Sequence, residues 1–291
     1  MINVVISGAS SGLGLYLAEL CLETGKNVIG LSRTEGGLHA LINKYPERIR
    51  HIPADLSDPG SVQRAVQGLL THCKPDILIN NAGYGQIGPL EYISFGEMEN
   101  QFRVNVFGLL ELTRLILPEM RARGGGRIII IGSSAGRICS PFNGPYSASK
   151  HALEALADAL RYECADSGIK VALVQPGKIN TPYGSKISQS GAEILKRIPQ
   201  ERRKAFENFL SREEKIPGLP LHALRRKFLQ ILHDTDLKPR YVLDSYTRLL
   251  FLIRTILPEK CYDWLMLRQG TRTLFVFDKS KSVRVPVRTE K

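Results

Sequence analysis

Across its 291 residues the sequence has no run of about 18 consecutive apolar residues, which excludes a transmembrane helix. It contains no Cys-x-x-Cys and no His-x-x-x-His. His51, His72 and His151 do not fall at metal-ligand spacing with carboxylates, so no metal site is expected. The five cysteines (Cys21, Cys73, Cys139, Cys164, Cys261) are scattered and odd in number. They read as reduced, mostly buried thiols, which points to the cytoplasm rather than to a disulfide scaffold. The chain opens directly on an apolar run, so no signal peptide is expected. Repeats and low-complexity tracts are absent. No DNA- or RNA-binding motif is present and the basic stretches have little aromatic interleaving, so nucleic acid is not an expected partner. No G-x-S-x-G surrounds Ser133, which argues against a serine hydrolase built on it.

Charge is present but uneven. Residues 1–182 carry 17 Lys/Arg and 16 Asp/Glu, whereas residues 183–291 carry 23 and 12. Nearly all of the formal +12 therefore lies in the C-terminal third. The length suits one large domain, or one domain with an appendage.

Ile2-Asn3-Val4-Val5-Ile6 is a short apolar run bounded by turn residues and reads as a buried strand. A turn, Ser7 to Gly14, follows at once, and then a helical apolar stripe from Leu15 to Leu22, closed by Gly25. Strand, glycine-rich turn and helix in that order form a dinucleotide-binding unit, with the phosphates at the helix N-terminus. Gly8 permits the tight turn, Gly12 lets backbone approach a pyrophosphate, and Gly14 lets the helix pack closely. The candidate contacts are Gly8, Ser10, Ser11, Gly12, Leu13 and Gly14. A second strand, Asn27 to Leu31, ends at Ser32-Arg33. An NAD site wants a carboxylate at this strand end; Arg33, with Ser10, suits the 2′-phosphate of NADP(H) instead. Glu35 is the competing acid, read here as first-turn helix decoration.

Tyr146 and Lys150 stand four residues apart at the start of a helical run, which stacks them on one face. An ammonium beside a phenol favours the phenolate. Lowering a tyrosine pKa from about 10 by roughly three units takes about 4 kcal/mol. The outcome is an acid/base group suited to neutral pH.

With these residues in order, the chain resembles the short-chain dehydrogenase/reductase family over residues 2–182. Ser7 to Gly14 matches its glycine-rich turn, with Ser7 where threonine is commoner. Asp55-Leu56 matches the pair beside adenine, although Asp55 also suits a turn before Ser57-Asp58-Pro59. Asn80-Asn81-Ala82-Gly83 matches the N-N-A-G element. Asn105 matches the asparagine that supports a proton relay, although an ordinary buried helix amide is an alternative. Ser133, thirteen residues before Tyr146, matches the catalytic serine, with Ser134 as the alternative. Pro176-Gly177, Ile179 and Thr181 match the loop at the nicotinamide end. The resemblance implies a Rossmann-like, doubly wound α/β fold with a parallel sheet of about seven strands, the remaining strands near residues 49–53, 76–79, 127–131 and 170–175. It implies Ser133, Tyr146, Lys150 and Asn105 as catalytic residues. Asn81, Ala82 and Gly83, with Tyr146 and Lys150, would touch the cofactor. The implied activity is NADP(H)-dependent hydride transfer on a small-molecule carbonyl/alcohol pair, in a homodimer packed through helices near residues 98–120 and 147–167. A non-catalytic NADP(H) sensor on the same fold is the alternative.

Residues 183–291 read as a helical extension of the same domain, laid on the end of the sheet. Helical patterns cover 193–204, broken at Pro199, and 221–232, and a last parallel strand falls at 240–243. Tyr246 to Leu257 then form a broad apolar surface, continued by Trp264 to Leu267. Three readings overlap: packing on the core, a cover over a lipophilic substrate, and peripheral attachment to anionic lipid beside Arg248, Arg254 and Arg268. The apolar pattern resembles, more weakly, family members acting on steroid- or retinol-like substrates, with residues 141–145 on the substrate rim. The basic tail, residues 278–291, reads as partly disordered.

Overall fold

Alternation along each strand decides which helices it meets. In β1 (Asn3–Ser7), Val4 and Ile6 point to one face of the sheet and Val5 to the other, and all three are buried. Such strands, apolar on both sides, suit a parallel sheet covered on both faces. The computed structural model describes residues 1–181 and 183–271. It places β1 in a seven-stranded sheet with β2 (Asn27–Ser32), β3 (Ile49–Pro53), β4 (Ile77–Asn80), β5 (Gly126–Ile131), β6 (Ile169–Gln175) and β7 (Arg240–Val242). The order is β3-β2-β1-β4-β5-β6-β7 and every pairing is parallel. The Rossmann-like doubly wound fold expected from the sequence is thus what forms. The winding reverses between β1 and β4, and ligands of such sheets bind outside the strand ends at that switch point.

On one face pack α1 (Gly12–Glu23) and α2 (Leu38–Lys44), through Leu17, Leu20 and Leu38. On the other pack α3 (Pro59–His72), α5 (Gly108–Ala122) and α6 (Gly144–Glu163), through Leu69, Leu112, Ile116 and Leu153. A short helix, α4 (Phe95–Phe102), leads into α5 through a π-helical turn over Arg103–Phe107.

The C-terminal third is joined to this frame. Helices α7 (Tyr183–Leu195) and α8 (Gln200–Lys215) break at Pro199, which caps α8. Both run beyond the 193–204 span expected from the pattern. Helix α9 (Arg225–His233) buries Phe228 and Ile231 in the same cluster as Leu17 and Leu20. Helices α10 (Ser245–Ile256) and α11 (Glu259–Thr271) follow β7. The tail 278–291 lies outside the described residues. Among those described, no helix is long and apolar enough to cross a membrane.

Two expectations need correction. Glu35 is not in the first turn of a helix: Gly36, at φ +51°, delays α2 until Leu38, and Glu35 caps the preceding turn, its carbonyl accepting from Leu38 N. The thiols are not mostly buried either: Cys21 and Cys164 are, Cys73 is half-buried, and Cys139 and Cys261 are exposed on loop and helix surfaces.

Candidate active site

Glycine at position 8 is dictated by a neighbour. Gly8 has φ +68°, and a Cβ there would lie 2.8 Å from the Ala82 Cα. The glycine-rich turn and the segment after β4 therefore touch backbone to backbone. Gly14 is as constrained: its Cβ would come within 2.5 Å of Asn81 Nδ2. The buried Ser7 hydroxyl accepts from Asn81 N (3.0 Å) and Ala82 N (3.1 Å), and Asn81 Nδ2 donates to Ser7 O (3.0 Å). The Asn81 side chain thus braces the turn against the segment after β4. Asn80 donates to Thr113 Oγ1 at 2.7 Å.

The cradle fits a dinucleotide. Ser11 N-caps α1 without a side-chain hydrogen bond, so the amides of the first turn keep their capacity for an anion. Gly12, at φ +56°, presents backbone without a side chain. Ser10 O accepts from Gly37 N, which ties the turn to the loop after β2. Arg33 is exposed at that strand end, and its charge contributes to holding the Asp55 carboxyl below its usual range, behind the larger effect of the Ser57 backbone N–H. Asp55 Oδ1 accepts from Ser57 N and Oγ, so it is a turn residue as well as a neighbour of the site. Leu56 is buried, with its carbonyl against Gly108 at the start of α5. Glu35 is engaged by His39 Nδ1 at 3.2 Å. Gly8 to Gly12 also spells G-x-S-x-G around Ser10, the pattern of a hydrolase nucleophile, but among the described residues no histidine hydrogen-bonds Ser10.

Helix α6 brings Tyr146 and Lys150 together. Tyr146 is half-buried, and Lys150 Nζ lies 5.8 Å from its ring centroid. Lys150 is buried and donates to Ile131 O at 2.8 Å, at the end of β5. Among the described residues no carboxylate pairs with it, and burial alone pulls its pKa from 10.5 down to about 8. Ser133 follows β5; its Oγ accepts from Ala135 N at 3.1 Å, which leaves its own O–H to donate elsewhere. Asn105 sits in the π-helical turn, fully buried, a backbone irregularity frequent at functional sites. Its Oδ1 accepts from Tyr84 N (3.0 Å), and its Nδ2 donates to Tyr84 O (2.9 Å) and Ser149 Oγ (3.1 Å). Ser149 in turn donates to Tyr146 O at 2.7 Å. Gly83 lies against Asn105 Oδ1.

The loop after β6 closes the set. Ser134 N donates to Pro176 O, and Gly177 N donates to Asp244 Oδ2 at 3.1 Å. Ile179 forms a parallel bridge with Leu219, just before Thr181. Asp244, Ser149 and Tyr84 were not singled out from the sequence. Only Asp244 carried a local signal, as an Asp preceding an apolar helix.

Segments leaving the ends of β4, β5 and β6 build a small apolar cluster: Ile87, Ile93, Ile194, Ile198 and Phe206 are buried there. Phe142, four residues before Tyr146, packs on Phe206 (5.3 Å) and Phe209 (5.4 Å). It holds φ +64°, an uncommon conformation for a bulky side chain.

Comparison with known proteins agrees with this geometry. Residues 3–191 match the model of the short chain dehydrogenase family. An uncharacterized oxidoreductase of Escherichia coli, YbbO, is 35% identical over 90% of this chain and 92% of its own length. An NADPH-dependent 3-dehydrocapnine reductase of Ornithobacterium rhinotracheale is 31% identical, covering 89% of this chain and 94% of that one. The crystal structure of a short-chain dehydrogenase from Streptomyces avermitilis superposes with a TM-score of 0.72 at 28% identity, over 93% of this chain and 98% of that chain.

Proposed function

We propose that this chain, which belongs to the short-chain dehydrogenase family, is an NADP(H)-dependent reductase of lipophilic carbonyl compounds that works through Tyr146. The observation carrying the proposal is Lys150: a buried ammonium beside a phenol, with a backbone carbonyl and, among the described residues, no carboxylate for company. Burying a charge without a counter-ion is unfavourable, and such groups mark functional sites.

In this reading Tyr146 gives its phenolic proton to the carbonyl oxygen, or removes it from the alcohol. Lys150 lowers the phenol's pKa electrostatically and also holds the nicotinamide ribose. Ser133, whose lone pair is taken by Ala135 N, donates its O–H to the substrate oxygen. Asn105 supports the proton path by locking Tyr84 and Ser149 around Tyr146. When bound, the nicotinamide supplies or accepts the hydride. The protein contributes placement and electrostatics.

Arg33 supports NADP(H) over NAD(H), since it is an exposed cation just past the end of β2, with the charge a 2′-phosphate needs, while Glu35 is occupied by His39. The NADPH dependence of the O. rhinotracheale relative points the same way. The apolar cluster around Phe142 and Phe206 supports a lipophilic substrate. Exposed Phe95, Phe107 and Leu110 on α4, the π turn and α5 support self-association through that side.

A panel of short- and long-chain ketones and aldehydes, followed through NADPH absorbance, tests the proposal. Turnover rising with chain length and faster with NADPH than NADH is expected. No turnover across the panel, with NADPH still bound, would leave only a nucleotide sensor.

A further inference from the structure

Helix α10 has two apolar faces. Its inner face buries Thr247 and Phe251, four residues apart. Its outer face carries Tyr246, Leu249, Leu252 and Ile256, which are 63%, 52%, 55% and 67% exposed. At about 100° per residue, these four fall within an arc of roughly 120°, centred about opposite the buried pair. A helix already packed on one side needs no second apolar stripe for its own fold. Exposed apolar stripes of this kind mark interaction surfaces.

Charge selects the occupant. Arg248 is exposed beside the stripe; Arg254, over the Tyr262 ring at 4.6 Å and paired with Glu259 at 3.9 Å, is exposed nearer the inner face. The twenty residues after Thr271 add six Lys/Arg against two Asp/Glu. A second copy is a poor fit: it would bring together two C-terminal regions that each hold 23 basic and 12 acidic residues. Four apolar side chains also fall well short of the roughly 20–30 residues a side that a stable dimer uses. An anionic bilayer suits both features, because an in-plane helix needs only a shallow apolar face with basic residues around it.

We propose that the outer face of α10 docks the protein peripherally on anionic lipid surfaces. The helix is firmly set for this. Asp244 caps it, accepting from Thr247 N at 2.7 Å, and the same carboxylate accepts from Gly177 N at the end of β6. Docking therefore places the carboxyl-end side of the sheet near the membrane. The proposal does not depend on what the enzyme reduces.

The test is flotation of the full chain with phosphatidylcholine vesicles, alone or with about a third phosphatidylglycerol. Wild type is expected to float with the anionic vesicles, and to be released as salt rises. The variant Leu249→Ser/Leu252→Ser/Ile256→Ser should bind at least about tenfold more weakly, with unchanged circular dichroism and unchanged turnover of a water-soluble carbonyl. A single Leu252→Glu substitution should lose binding likewise, should the triple variant fold poorly. Absence of wild-type flotation overturns the proposal. So does equal binding by the variants, which would assign binding to the basic tail alone. Lipid-free self-association that the triple variant abolishes would overturn it too, in favour of a second copy.

Discussion

Replacing Lys150 with methionine should make the cofactor-free protein more stable while destroying its activity. The reason is the environment of the amine. Burial takes its pKa from 10.5 to about 8, with no carboxylate among the described residues offsetting the effect. Since one pKa unit is 1.36 kcal/mol, the buried charge costs about 3 kcal/mol at neutral pH. Methionine, of similar length and apolar, removes that cost. It also strips Ile131 O of a donor, which costs about 1 kcal/mol. The net expectation is a gain of about 2 kcal/mol, or a midpoint rise of about 3 to 6 °C. The effect depends on pH in a defined direction. The folded pKa lies below the unfolded one, so the unfolded chain binds more protons between about pH 8 and pH 10.5. Wild type therefore gains stability as pH rises through that window, while the variant has nothing to gain there. The gap should be widest below pH 8 and vanish or invert near pH 10.5. Urea denaturation of both proteins at several pH values, followed by circular dichroism, measures it. Adding NADPH should then stabilise wild type more than the variant, because binding to the native state raises stability by mass action. A variant less stable than wild type at pH 7, or a gap indifferent to pH, would refute the reasoning.

Other predictions follow from the same geometry. Arg33→Ala should raise the NADPH dissociation constant by about tenfold or more and leave that of NADH within a few-fold, as read by fluorescence titration. Gly8→Ala should cost about 2 kcal/mol or more and abolish nucleotide binding, since the methyl meets the Ala82 backbone. Gly25→Ala is its control: φ is +78° but the space is open, so a loss of about 1 kcal/mol with binding intact is expected. Asp244→Ala should destabilise by about 2 kcal/mol through loss of the α10 cap and the Gly177 acceptor, and raise the KM for NADPH, whereas Asp244→Asn should restore much of both.

The nucleotide end of the fold was legible because its information is local. Strands β1, β2 and β4 are short, largely apolar runs ending in residues that must turn, and Ser7 to Gly14 encodes its turn in its own glycines. The Tyr146–Lys150 pair was legible for the same reason, since helical spacing puts both on one face. Contacts between distant segments were not. The Asp244 carboxylate reaches Gly177 across 67 residues, and Asn105 reaches Ser149 across 44. No periodicity announces either. Asn81 Nδ2 reaches Ser7 O across 74 residues in the same way. Glu35 was misplaced because Gly36 adopts a left-handed conformation that composition alone does not require. The exposure of Cys139 and Cys261 depended on which side of a loop and a helix faces the core, and so on tertiary packing.

The phenol of Tyr146 carries the account, and its removal is the most direct test. Tyr146→Phe keeps the ring and loses only the hydroxyl. With NADPH and a reducible ketone, the variant should lose about a thousandfold in kcat, the scale of a positioned general acid, while binding NADPH within a few-fold of wild type. A variant that turns over at more than a small fraction of the wild-type rate would contradict it.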